Sequence, residues 1–109
     1  MKVNIGPYPL GNLPKSRKVK IEFHPHDFWA LDHTLALIIL PSLQAFRKNP
    51  SYPACFESNE PWLEILDKMI YAFEHIVNED DYYLCNKTMD KKIQQGLNLF
   101  SKWYQNLWT

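Results

Sequence analysis

The chain has 109 residues, 46% apolar and 15% aromatic, with twelve Lys or Arg set against twelve Asp or Glu. That length predicts one domain, residues 1–109, with enough apolar mass to bury a core without metals or disulfides. A formal net charge of zero speaks against bulk attraction to nucleic acid or to an anionic membrane, and it does little to keep copies apart, so a homo-oligomer is expected.

Cys55 and Cys85 are the only cysteines. Neither sits in a CxxC pair, so a cysteine-built zinc site is not expected; two reduced, partly buried thiols are favoured over a single disulfide, which stays open. The apolar run Leu35–Leu40 is far shorter than the roughly 20 residues that span a bilayer. With no basic-then-apolar leader at the start, the expectation is a soluble intracellular protein without membrane partners.

Lys2–Ile5 is a short segment in which Val3 and Ile5 alternate with polar residues. Gly6-Pro7-Tyr8-Pro9, Gly11 and Pro14 follow as loop. In Lys18–Phe23 the residues Val19, Ile21 and Phe23 point one way and Lys18, Lys20 and Glu22 the other, which predicts a half-buried strand. The two segments pair most simply as an antiparallel ribbon, which needs helices or another copy to lie against. Lys15, Arg17, Lys18 and Lys20 form the one basic run and read first as a solvated face.

His24-Pro25-His26 breaks the strand, and Asp27 is placed to cap a first helix over residues 28–47. Its apolar stripe is Phe28, Leu31, Leu35, Ile38, Ile39 and Phe46, with Leu37, Leu40 and Leu43 adding surface on other sides. Pro41 predicts a kink or an end there. Asn59 or Glu60 before Pro61 opens a second helix, 61–78, striped by Trp62, Leu66, Met69, Phe73, Ile76 and Val77. Glu79–Tyr83 form a turn, and Thr88 caps a third helix, about 88–107, striped by Ile93, Leu97, Phe100, Tyr104 and Leu107. Gly96 within it costs about 1 kcal/mol against Ala and predicts close approach of another helix. The fold class is α+β, mostly α: a short two-stranded antiparallel ribbon followed by a three-helix bundle with a proline-kinked first helix.

Short connections make neighbouring helices antiparallel. In such a bundle one end collects Asp27, Asp32, His33, Glu74, His75 and Lys91. His24, His26, Asp27, Asp32 and His33 are residue types that bind metals, but no HExxH or i,i+4 histidine pair is present, so no metal site follows from spacing. Asp32 lies on the stripe of Phe28 and Leu35. Its carboxylate is expected to face inward, where it needs a cation or several donors, such as Arg17, Lys91, Lys102 or His75. Trp29, Trp62, Trp103 and Trp108 can stack on bases, although aromatics at helical spacing are more often core or subunit contact. There is no P-loop, GxGxxG or nucleophile elbow, no residue stands out as catalytic, and no cofactor is indicated.

The stretch Asp27-Phe28-Trp29-Ala30-Leu31-Asp32-His33-Thr34-Leu35-Ala36, running on to Pro41, resembles a D-x-W-x-x-D-H-T-L-A helix signature. It marks a family of small tailed-bacteriophage proteins to which no activity is assigned. Trp62–Glu74, Ile93–Trp108 and the start Ile5-Gly6-Pro7-Tyr8 resemble the same family, so the likeness covers most of the chain. Asp27, Trp29, Asp32, His33, Thr34, Glu74 and Lys102 fall on the pattern. Where this chain has His24 and His26 the family carries an acidic residue and a tryptophan, and its members often have an insertion at Lys48–Glu60.

The resemblance implies a phage-encoded protein acting in the host cytoplasm. With no catalytic motif, the expected function is non-enzymatic: an accessory factor, of the kind that counters host defence by sequestering a nucleotide signal or a host protein. Its candidate ligand-binding residues are Asp27, Trp29, Asp32, His33, Glu74 and Lys102. The alternatives are a small metal-dependent hydrolase or nuclease using Asp27, Asp32, His33 and Glu74, and, more weakly, a single-stranded nucleic-acid binder using the tryptophans and the Lys15–Lys20 cluster.

Overall fold

The computed structural model describes residues 1–7, 17–78 and 87–108, with the backbone alone at 87–89. Tyr8, Lys15, the Glu79–Tyr83 turn and Cys85 lie outside the described residues, as does the Thr88 side chain. The fold is a two-stranded antiparallel sheet followed by three helices, and it is mostly helical. Two compact units divide it, Met1–Thr34 and Leu35–Thr109, with the boundary inside the first helix.

In the first unit, β1 (Lys2–Ile5) pairs with β2 (Val19–Glu22) in the register Lys2↔Glu22, Val3↔Ile21, Asn4↔Lys20 and Ile5↔Val19. Directly opposed residues share a face, so one face is entirely apolar and the other entirely polar. Gly6 continues the ladder by donating to the Lys18 carbonyl at 2.7 Å, and Arg17 Nε donates to the Gly6 carbonyl at 2.8 Å. A 3₁₀ turn, Pro25–Phe28, follows.

Helix α1 spans Leu31–Arg47, starting one turn later than the apolar pattern suggests. Phe28 therefore belongs to the 3₁₀ turn, and Asp27 works inside that turn rather than as the cap of α1. The helix runs through Pro41. Proline has no N–H for the Leu37 carbonyl, and one residue on Ser42 Oγ donates to the Ile38 carbonyl at 2.7 Å.

The second unit holds the core. Helix α2 (Glu60–Val77) buries Trp62, Leu66, Met69, Ala72, Phe73 and Ile76 on one stripe. Asn59 precedes it without a side-chain capping bond. Its Oδ1 is buried and unpartnered among the described residues, as is Trp62 Nε1. Helix α3 (Lys87–Trp103), with a short 3₁₀ turn after it (Tyr104–Asn106), adds Ile93 to the core. From α1 the core takes Ala36 and Leu43, with Ile39, Leu40 and Phe46 packed against it. The inward stripe of α1 is thus centred on a small residue, while Leu31, Leu35, Leu37 and Ile38 are exposed. The large leucines and isoleucines drew the expected stripe to the wrong side of Ala36.

Arg47 at the end of α1 meets Asp67 of α2 as a fork, Nε to Oδ1 at 2.7 Å and Nη2 to Oδ2 at 3.3 Å. The hydrogen bonds to Asp67, and then its charge, hold the Arg47 pKa above its ordinary value. Exposed pairs of this kind fix geometry more than they stabilise. Among the described residues no helix is long and apolar enough to cross a membrane.

The tightest approach is at Gly96. A Cβ there would collide with the Lys68 carbonyl oxygen and the Ala72 Cβ on α2. A helical glycine ordinarily costs stability, yet here its missing side chain lets α3 touch the α2 backbone. Gly96→Ala is expected to lower the unfolding free energy by about 1–3 kcal/mol through overpacking, despite the better helix propensity of Ala. Urea titration followed by circular dichroism measures this, and an unchanged or higher midpoint would show that the helices part freely.

Candidate functional site

The 3₁₀ turn of the first unit is a reciprocal cap. His24 Nδ1 accepts from the His26 N–H at 3.1 Å, and the Asp27 carboxylate accepts from the His24 N–H at 2.7 Å. Asp27 also receives the Met1 ammonium, at 3.1 Å to Oδ2 and 3.3 Å to Oδ1. Both partners of this ion pair are largely shielded, with side chains 7% and 16% exposed. Thr34 Oγ1 donates to the Asp27 carbonyl at 3.0 Å and to the Ala30 carbonyl at 3.2 Å, which fastens the turn to the start of α1. Asp27 thus holds the turn in place; its carboxylate is occupied and is not itself presented to a ligand.

What the turn presents is aromatic. The Trp29 indole is 81% exposed. It lies against His26 with 4.2 Å between ring centroids and the planes inclined at 57°, and His26 lies 4.8 Å from His24. The three rings form a solvent-facing cluster of inclined rings, whose backbone is fixed by the Asp27 hydrogen bond. His24 and His26 are residue types that bind metals; here the His26 ring lies against the Trp29 indole and the His24 ring lies against His26.

The remaining candidates are placed differently. Asp32 is exposed, and its carboxylate has no partner among the described residues. The inward-facing charge expected for it is therefore corrected: α1 starts at Leu31, and its buried face runs through Ala36, Leu40 and Leu43. His33 is half-buried. Glu74 and Lys102 belong to the second unit, on α2 and α3, and both are exposed.

Trp62 beside Trp103 and Tyr71 beside Lys92 show α2 and α3 to be antiparallel. Lys92, which faces the later part of α2, and Lys102 are separated by roughly 15 Å of helix rise. Glu74 and Lys102 consequently sit toward opposite ends of that pair. Lys102 Nζ lies 5.3 Å from the ring of Trp103. Trp62 is fully buried, Trp103 packs on the core and Trp108 is 65% exposed, so the four tryptophans do not make one platform. Among the described residues, no three His, Cys, Asp or Glu side chains gather where they could hold a metal ion. Cys55 is exposed and unpaired.

No family model, curated protein or solved structure matches this chain.

Two outcomes are expected. The His24 N–H is the largest cause holding the Asp27 carboxyl below its ordinary 3.8; partial burial opposes it, and the Met1 ammonium adds to the lowering. A depressed carboxyl contributes stability above its unfolded pKa and loses it as pH falls through the folded value. The His24 amide shift followed by NMR should therefore titrate with a midpoint below 3.8, and a midpoint at or above that value would remove the hydrogen bond from the account. Asp32→Ala, by contrast, should change stability by no more than about 0.5 kcal/mol, as for other exposed positions without partners; a thermal melt reads this directly.

Proposed function

We propose that this chain is a non-enzymatic accessory protein of a tailed bacteriophage that acts in the host cytoplasm by binding, and that it counters host defence by sequestering a nucleotide signal. The resemblance of Asp27–Pro41, Trp62–Glu74 and Ile93–Trp108 to a phage family supports the phage setting. The observation that carries the binding reading is Trp29, 81% exposed and packed against His26. A base can lie on such a ring at a gain of about 1–3 kcal/mol, whatever its identity. Rigidity matters as much as exposure, because a turn already fixed by the Asp27 and Thr34 bonds loses little entropy when a ligand arrives.

A host protein as the target is the second reading, favoured by Phe28, which is 56% exposed one residue before Trp29. Isothermal titration with linear and cyclic mono- and oligonucleotides tests the first reading. At least one should bind, and Trp29→Ala should weaken it by about tenfold or more while the melting temperature stays unchanged. Absence of nucleotide binding, or equal affinity in Trp29→Ala, overturns the nucleotide reading. A host protein retained by the wild type and lost in both Phe28→Ala and Trp29→Ala would then identify the second.

A further inference from the structure

The ribbon of the first unit separates its residues with unusual strictness. Lys2, Asn4, Lys20 and Glu22 occupy one face, where Lys20 and Glu22 pair at 3.3 Å. Val3, Ile5, Val19 and Ile21 occupy the other, and they are 40%, 51%, 58% and 43% exposed. Strand alternation adds Phe23, 54% exposed, and the Phe28 ring, 56% exposed, lies 5.4 Å from it. No residue of either strand is buried. An isolated two-stranded ribbon is marginal in water, so an apolar face of this kind favours a layer packed against it.

We propose that the layer is a second copy of the same ribbon, stacked face to face about a two-fold axis. Three features select this occupant. The face carries no charge, so two identical faces meet without like-charge repulsion and without desolvating a carboxylate or an ammonium. The neutral net charge of the chain adds no long-range opposition. A row of β-branched side chains packs against its own copy as in sheet-on-sheet packing, with about 10 Å between layers.

The area agrees with such a pair. Six half-exposed side chains of this size offer roughly 500 Å² per copy, so a symmetric pair buries roughly 1,000 Å², the lower bound for a specific interface. The dimer is accordingly weak and concentration-dependent. It goes beyond the binding function proposed above and stands whether or not Trp29 takes a nucleotide.

Sedimentation velocity over a wide concentration range tests it. The wild type should pass from monomer to dimer as concentration rises. Ile21→Lys should raise the dissociation constant by about tenfold or more, whereas Asn4→Lys on the polar face should leave it unchanged. Ile21→Thr keeps a strand-favouring residue, and it should weaken the dimer in the same direction if the lysine variant does not fold. A wild type that stays monomeric at every concentration overturns the proposal, as expected if the ribbon is covered within its own chain. A dimer equally tight in Ile21→Lys or Ile21→Thr also overturns it, by placing the interface elsewhere.

Discussion

The contact between α2 and α3 at Gly96 governs the second unit. Because the α3 backbone comes down onto the Lys68 carbonyl and the Ala72 methyl, the larger side chains on either side are drawn into contact. Phe73 meets Phe100 at 5.1 Å, and Trp62 meets Trp103 at 5.8 Å. Phe56, from the segment before α2, closes the second cluster at 5.3 Å from Trp103. A wider helix spacing would open voids around Trp62, Leu66 and Met69, all fully buried, and a core loses stability with each void its walls cannot fill. One missing methyl group therefore sets the geometry of a hydrophobic interior.

The first unit is organised by polar chemistry. Among its described residues no large apolar side chain is buried. Its order rests on the Asp27 carboxylate, which gathers the His24 amide and the Met1 ammonium, and on Thr34, which binds two carbonyls. Such bonds are directional and specify a backbone path closely, and the turn they define carries the exposed ring of Trp29. They supply little of the nonspecific cohesion that apolar burial gives, which is consistent with so much apolar surface being left on the ribbon.

Much of this was legible in the sequence because periodicity reports burial directly. The alternation of Val19, Ile21 and Phe23 located β2, the stripe of Trp62, Leu66, Met69, Phe73 and Ile76 located α2, and Gly96 announced the close helix approach. The start of α1 was not legible. Asp27 satisfies the pattern for a helix cap, and only the three-dimensional path shows it committed instead to a 3₁₀ turn beginning at Pro25. The inward face of α1 was not legible for a related reason: Ala36 contributes little hydrophobicity to a pattern, yet it is fully buried. The Trp29–His26 contact was invisible because residues three apart are brought together here by a turn, whose geometry no hydrophobic period encodes.

The tryptophans also give the molecule a built-in optical contrast. Trp62 is sealed from solvent, while Trp29 and Trp108 stand largely in water. Their emission spectra should differ accordingly, the buried indole at the blue edge and the exposed ones at the red. A collisional quencher such as iodide should extinguish the red component first and leave the blue. The blue component thus reports the core through Trp62, and removing Trp108, as in Trp108→Phe, leaves Trp29 as the strongly exposed indole that reports the turn.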